Sequence, residues 1–267
     1  MNSVTIVGVG LIGGSFALAL RKAGFEGRIT GVSSKSATDA AVAGGVIDEA
    51  LPLAEAAANS DLIYLSQPIE RILQTIDVID AHARSGALIT DAGSTKFDIV
   101  TRATSAIQKA RFVGGHPMAG KESRGVEHAD PDLFRGRPYV LTSREPLLES
   151  WIERIGARLV ILTPEEHDRL VAVTSHLPQL LSTALASVIG SEPDAAQVAG
   201  PAALDLTRLA LSPYEIWRDI FATNAGPIDA ALTAFIAKLK ELRSVLRSPE
   251  MERAFESAAA AAKALRR

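Results

Sequence analysis

One histidine stands in a bare stretch of backbone at residues 113–122, VGGHPMAGKE. Two glycines precede His116, a proline follows it, and another glycine comes soon after. Glycine lets the main chain approach another molecule closely, and proline fixes the direction of the backbone. The run therefore predicts a histidine held at an accessible surface, where a neutral imidazole can accept a proton. The alternative is a histidine that only caps a turn.

An arginine and a second histidine stand in helical segments that are otherwise rich in Leu and Ala. Arg208 should be costly there unless its guanidinium binds something, and that planar fork suits a carboxylate. A pair with Asp205, three residues earlier on the same face, is the structural alternative, and both hold if Asp205 orients Arg208. His176, in SHLP, is compatible with a binding role or with a place in the core.

Residues 8–13, GVGLIG, follow the first predicted strand and open the first predicted helix. In this context the spacing G-x-G-x-x-G predicts a dinucleotide-binding turn. The first glycine makes the tight turn, the second lets the backbone approach a pyrophosphate, and the third lets the helix pack against the strand. The predicted contacts from this turn are Gly8, Gly10, Leu11, Ile12 and Gly13.

The end of the second predicted strand, GVSSKS, indicates which dinucleotide is preferred. NAD sites usually carry an acid there, which binds the ribose hydroxyls. Ser33, Ser34 and Lys35 stand there instead, and two hydroxyls with a lysine suit a 2′-phosphate. We therefore expect NADP to be preferred over NAD. The alternative is that Lys35 is an ordinary loop lysine, and Asp39 lies too far along to replace the missing acid.

The order of elements predicts the fold class. Short apolar segments alternate with helix-like segments up to Thr163, as in a doubly wound, mainly parallel sheet. From TPEE onward only helical patterns remain, and that motif is a good helix start. We predict an α/β domain at 1–163 and an all-α domain at 164–267. The predicted strands are 3–7, 28–33, 61–65, 87–91, 111–114, 138–142 and 158–162.

Composition narrows the class of protein. The 267 residues carry a net charge of −3, so no basic field favours nucleic acid or an anionic membrane. The absence of cysteine excludes disulfides and thiolate chemistry, and the five histidines show no metal-ligand spacing. The sequence has no basic leader and no run of ~18–20 apolar residues. We expect a cytoplasmic protein without a metal.

Five segments occur in an order that is similar to one family. They are GVGLIGGS, TDAGSTK at 90–96, GGHPMAGKE at 114–122, SHLPQLL at 175–181 and DLTRLALSPYEIW at 205–217. Together they resemble the prephenate/arogenate dehydrogenases of tyrosine biosynthesis. The resemblance implies a Rossmann-like domain and an all-helical domain that forms a homodimer. It also implies NAD(P)-dependent oxidative decarboxylation of prephenate to 4-hydroxyphenylpyruvate, with arogenate as the alternative substrate.

The resemblance also implies roles for individual residues. His116 is the catalytic base for the C4 hydroxyl, and Ser94 hydrogen-bonds the same hydroxyl and the nicotinamide. Arg208 binds a substrate carboxylate. The residues placed near the substrate or beside the cofactor are His176, Glu122, Ser66 and Pro68.

Two lysines near these motifs leave questions open. Some members of the family carry threonine where this chain has Lys121, and a lysine there would disfavour the ammonium of arogenate unless it points to solvent. Lys96 could lend positive charge beside Ser94 or be an ordinary exposed lysine. Ser94 itself could be no more than a helix N-cap.

Rival functions explain less of the sequence. β-Hydroxyacid and 6-phosphogluconate-type dehydrogenases use a lysine early in the helical domain, whereas residues 164–237 contain none. Pyrroline-carboxylate reductase does not account for GGHPMAG or Arg208. A non-catalytic dinucleotide sensor would have no reason to keep His116, Ser94 and Arg208 together. Because neither end of the sequence resembles a mutase or regulatory domain, we expect a monofunctional enzyme.

Overall fold

Six parallel strands form the central sheet in this computed structural model, which describes residues 1–266. The strands lie in the order β3-β2-β1-β4-β5-β6. They are β1 Ser3–Val7, β2 Arg28–Val32, β3 Glu49–Ala50, β4 Leu62–Leu65, β5 Leu88–Asp91 and β6 Arg111–Val113. The order reverses between β1 and β4, and doubly wound sheets bind ligands beyond the carboxyl ends of the strands at such a point. The predicted doubly wound sheet is confirmed.

A second, three-stranded sheet carries the histidine motif. It consists of β7 Gly115–Pro117, β8 Pro138–Leu141 and β9 Arg158–Ile161, with β7 antiparallel to β8 and β8 parallel to β9. The prediction of a bare backbone around His116 is wrong, because His116 pairs with Val140 in this sheet. The side chain is only half-buried, and its accessibility to another molecule stays a prediction. Its neighbour Gly115 permits the close packing, since a Cβ there would lie 2.6 Å from the Asp91 carbonyl oxygen.

Helices cover both faces of the central sheet, so its inner strands are mostly buried. All four residues of β4 are buried, as expected of a parallel strand between two layers. One layer contains the stacked rings of Phe16 and Tyr64, 4.0 Å apart. The other contains isoleucines of β5 and of the helix after β4. The helices of this half are α1 Leu11–Lys22, α2 Lys35–Ala43, α3 Leu53–Ala58, α4 Ile69–His82, α5 Phe97–Ala106 and α6 Pro146–Arg154.

The remainder of the described chain, beyond Ile161, contains helices and no strand. Its first helix begins as predicted, because Thr163 and Glu166 form a capping box. A π turn, Ala172–His176, follows this helix directly. A domain boundary near residue 163 stays a prediction. The helices are α7 Pro164–Val171, α8 Leu177–Gly190, α9 Pro201–Thr207, α10 Tyr214–Thr223, α11 Ala225–Ser244 and α12 Glu250–Ala264.

Large apolar side chains are exposed on the helical half. Val198, Leu211 and Phe255 are 84%, 85% and 72% exposed, which is unusual for a surface meant to face water. Within residues 1–266 no single helix is long and apolar enough to cross a membrane, and the bent pair α10 and α11 passes that test only by length and composition.

Candidate active site

A cleft of about 830 Å³ lies beyond the carboxyl ends of β1, β2 and β4. The glycine turn forms its floor. Gly8 has φ +97°, and a Cβ there would lie 2.8 Å from the Ser66 carbonyl, so only glycine fits. A Cβ on Gly13 would lie 2.4 Å from the Gly8 oxygen, whereas a Cβ on Gly10 would meet nothing within 4 Å. Gly10 therefore leaves a cradle open to the cleft, which fits a pyrophosphate.

The rim of this cleft contains serines from the end of β2. Ser33 and Ser34 line it, but Lys35 does not, because its Nζ pairs with Asp39 at 2.7 Å along the exposed face of α2. Of the two interpretations, the ordinary solvated lysine describes Lys35 better, although it lies at the start of α2 and not in a loop. An arginine that the sequence analysis missed, Arg71 of α4, lines the cleft beside the serines. The available signal was its place, three residues after the cleft-lining Pro68.

A second cavity of about 570 Å³ continues from the glycine turn toward the helical half. Leu11 and Ile12 line it on one side, and Ser94 lines it on the other. Ser66 and Pro68 line both cavities, and the Ser66 hydroxyl donates to the Gly8 oxygen at 2.9 Å. The structure thus brings the predicted cofactor residues that follow β1 and β4 to two adjoining cavities that share part of their lining. Cations on its wall are Lys121, Arg124 and Arg218.

His116 is half-buried and belongs to a chain of three polar side chains. Its Nδ1 lies 2.8 Å from His167 Nε2, and His167 Nδ1 lies 2.7 Å from Asp168 Oδ1. His167 and Asp168 are buried, at 0% and 2% exposed. Burial lowers the pKa of His116 well below its usual range, and the nearby His167, Lys96 and His176 lower it further. His116 is therefore a neutral base near pH 7.

A buried ion pair ties the strand of His116 to the turn that carries Ser94. Lys96 and Asp91 are fully buried and bonded to each other, so the alternative of an exposed lysine is wrong. Asp91 accepts from the backbone N–H groups of Gly93 and Gly115, at 2.7 and 3.1 Å. Lys96 Nζ donates to the Gly115 oxygen at 2.7 Å. Burial raises the pKa of Asp91, and the adjoining ammonium opposes that rise.

His176 lies in the core at 1% exposed, in the π turn after α7. Asn224 donates one amide hydrogen toward His176 Nδ1 at 3.1 Å and makes another bond to the Asp168 carbonyl at 2.9 Å. Burial lowers the pKa of His176 to about 4, so the ring is neutral. The π turn and Asn224 therefore connect His176 to the same polar network as His116.

The predicted carboxylate anchor lies at the surface of this chain. Arg208 is exposed, in a 3-10 turn after α9, and its Nη1 donates to Glu122 Oε1 at 3.1 Å. The alternative pair with Asp205 is not formed, because the guanidinium reaches Glu122 instead. Lys121, next to Glu122, pairs with Asp130 at 2.8 Å.

Among the residues the structure describes, no group of three His, Asp or Glu side chains is placed so that it could hold a metal ion. The sequence analysis missed His167, Asp168 and Asn224. The first two stand in TPEEHDRL, a pattern that by itself predicts only a helix start.

Comparison with known proteins gives a consistent family. The family model described as the nucleotide-binding domain of prephenate dehydrogenase matches residues 16–160, and its dimerization domain matches 163–259. The prephenate dehydrogenase of Lactococcus lactis subsp. cremoris is 35% identical over 84% of this chain and 65% of its own length. That of Bacillus subtilis is 32% identical over 95% and 72%. This chain thus spans a little under two thirds of the Lactococcus protein.

Two solved structures are similar over almost their full length. Prephenate dehydrogenase from A. aeolicus, in complex with hydroxyphenyl propionate and NAD+, superposes with a TM-score of 0.93 at 32% identity, covering 99% of this chain and 98% of that one. Synechocystis arogenate dehydrogenase gives 0.87 at 30% identity, covering 98% and 99%.

Proposed function

Because the chain belongs to the prephenate dehydrogenase family, we propose that it oxidises prephenate with NAD(P)+ and releases carbon dioxide to form 4-hydroxyphenylpyruvate. One observation carries the proposal. Asp91 binds the N–H groups of Gly93 and Gly115, so it fastens the cleft-lining turn of Ser94 to the strand of a neutral base, His116.

The cleft fits a nicotinamide dinucleotide. Gly10 leaves room for the pyrophosphate beside the N-terminus of α1, and that helix end favours negative charge. When bound, the oxidised nicotinamide accepts a hydride. NADP is the preferred form in our proposal, since Ser33, Ser34 and Arg71 line the cleft where NAD sites usually carry an acid.

The residues of this chain would move one proton. His116 accepts the proton of the C4 hydroxyl as the C4 hydride leaves, so that a C4 carbonyl forms. The bond from C1 to its carboxylate then breaks, carbon dioxide leaves, and the bonding electrons complete the aromatic ring. The phenolate oxygen takes back the proton from His116. Ser94 hydrogen-bonds the C4 oxygen and holds it toward the base.

The remaining roles concern substrate carboxylates. Arg208 would exchange its contact with Glu122 for a carboxylate of the substrate, because that exposed pair is worth only ~0–1 kcal/mol. His176 lies behind the site and supports it. The positive charge of Lys121 is compensated by Asp130, so it discriminates weakly between prephenate and the ammonium of arogenate.

We also propose a homodimer formed through the helical half. Large apolar residues are exposed at many more positions on that half than on the sheet half, where only Val42, Val78 and Phe97 are exposed among the described residues, and a dimer would remove them from water. The match to a dimerization domain over residues 163–259 supports the same surface.

The test is a rate assay with four substrate and cofactor pairs. Purified protein is mixed with prephenate or arogenate, each with NAD+ or NADP+, and the absorbance of the reduced nicotinamide is followed. We expect the highest kcat/KM with prephenate and NADP+. A higher value with arogenate would make arogenate the substrate, and a higher value with NAD+ would refute the NADP preference.

Variants separate the dehydrogenase from a dinucleotide sensor. His116→Asn should lower kcat by ~10²-fold or more with little change in cofactor affinity, as for the loss of a general base. His82→Asn removes an exposed histidine at the end of α4 and should change neither. No turnover in any of the four pairs, by folded protein that binds NADP, would refute the enzyme and favour the sensor.

A further inference from the structure

We infer that His167 and Asp168 are positioning residues that fix the tautomer of His116, so that His116 Nε2 is the free base. The inference rests on the proposed function, because it explains how that base is prepared.

Asp168 can only accept hydrogen bonds in its surroundings. Its Oδ1 accepts from the Lys96 N–H at 2.7 Å, and its Oδ2 accepts from the Phe97 N–H at 2.9 Å. Both donors are backbone groups at the start of α5, so their direction is fixed. The third neighbour, His167 Nδ1, is bonded to the same Oδ1 and must therefore carry its hydrogen there.

The tautomer of the second imidazole determines that of the first. A neutral ring with hydrogen on Nδ1 has only a lone pair on Nε2, so His167 Nε2 accepts. Its partner at 2.8 Å, His116 Nδ1, must then donate. In a neutral His116 the hydrogen is therefore on Nδ1, and Nε2 is left with a lone pair for the hydroxyl proton of the substrate.

The chain of bonds also offers a place for the charge that forms during turnover. When His116 Nε2 takes a proton, its Nδ1–H stays bonded to His167 Nε2, and the Asp168 carboxylate on the far side of His167 stabilises the cation through this chain of hydrogen bonds. This matters because His116 is poorly solvated. The other groups that face it are Lys96 from the turn before α5 and His176 from the π turn, and both oppose a positive charge there.

A purely structural role for Asp168 is the competing explanation. The carboxylate joins α7 to the first N–H groups of α5, and its loss would loosen that junction. Such a role affects stability, but it does not require a particular tautomer of His116. The two explanations therefore differ in a property that can be measured without substrate.

The first experiment is 15N NMR of the histidine rings in the full-length protein without ligands. Imidazole nitrogens with and without hydrogen have well-separated shifts, and His116→Asn identifies the signals of His116 by their loss. We expect hydrogen on Nδ1 and none on Nε2. In Asp168→Asn we expect a mixture of both tautomers. Hydrogen on Nε2 of His116 in the wild type would overturn the inference, whether or not the protein turns over prephenate.

The second experiment uses His167→Ala, since Asp168→Asn disturbs the start of α5. We expect kcat to fall by ~10²-fold with little change in KM, and added imidazole to restore part of it. Glu165→Gln, which removes an exposed carboxylate from the same helix, should leave kcat unchanged. A folded His167→Ala variant with wild-type kcat would refute the positioning role. If the wild type itself shows no turnover, the function fails, and the NMR result still decides the tautomer.

Discussion

The two later glycines of the turn offer a matched pair of substitutions that separates cofactor binding from folding. Gly10→Ala adds a methyl group to open space in the cleft, with no protein atom within 4 Å of the new carbon. Gly13→Ala adds the same group 2.4 Å from the Gly8 oxygen and 2.7 Å from Ile6. The chemical change is identical, but only the first methyl group lies where a pyrophosphate would approach.

The expected changes in the free energy of unfolding follow from these distances. Gly10 is the N-cap of α1 and makes no side-chain bond, so alanine there costs up to ~1 kcal/mol. At Gly13, overpacking costs ~1–3 kcal/mol, and better helix propensity returns up to ~1 kcal/mol. The Gly8 oxygen cannot move aside easily, because it accepts from the Gly10 N–H at 2.9 Å. We expect a net loss of about 2 kcal/mol for Gly13→Ala.

Cofactor affinity should show the opposite order, with the large loss in Gly10→Ala. Gly10→Ala should raise the Kd for NADP by ~10-fold or more, equivalent to at least ~1.4 kcal/mol, while the melting temperature of the free protein stays close to wild type. Calorimetric titration and thermal unfolding measure the two quantities. Wild-type affinity in Gly10→Ala would refute the placement of the pyrophosphate. A loss of stability as large as that of Gly13→Ala would refute the open cradle.

Three further predictions concern the substrate anchor, the buried ion pair and pH. Arg208→Ala should raise KM for prephenate at least ~10-fold with a smaller change in kcat, and an unchanged KM in steady-state kinetics would mean a structural role only. Lys96→Met should lower the free energy of unfolding in urea by ~3–5 kcal/mol, because Asp91 is left buried without its partner, and adding Asp91→Asn should recover part of the loss. The pKa of His176 is about 4 in the folded protein and 6.5 in the unfolded chain, so the unfolded chain binds a proton first as the pH falls. The contribution of the neutral ring to the free energy of unfolding is complete above pH 6.5 and is about 2 kcal/mol smaller at pH 5. His176→Asn should remove that part of the pH dependence, and an unchanged profile would contradict a neutral, buried ring.

The main elements of the fold could be predicted because buried parallel strands have a simple pattern. Continuous apolar runs such as LIYL at β4 have few other structures available, and the predicted ends differ from the observed ones by at most one residue. Two strands were missed for a physical reason. Glu49–Ala50 and Gly115–Pro117 are held by their neighbours in the sheets and have no apolar pattern of their own.

The glycine turn could also be predicted, since its function depends on backbone conformation that local sequence determines. Lys96 shows the opposite case. Its nearest residues in sequence suggest an exposed lysine, but its partners are the Asp91 carboxylate and the Gly115 oxygen, brought together by β5 and β7. Arg71 was missed in the same way, because only the packing of α4 turns it to the cleft.

His167 and Asp168, which lie behind the base, show why a sequence does not reveal the residues that prepare it. In PEEHDRLV a histidine and an aspartate continue a run of polar residues, so helix periodicity places them at the surface. They are buried instead because Asp168 satisfies the first N–H groups of α5, a need that arises from another helix. Once buried there, the carboxylate leaves His167 a single tautomer, and His167 leaves His116 a single tautomer. The same contact that closes the junction between two helices therefore prepares the base, and a sequence shows neither until the helices are placed side by side.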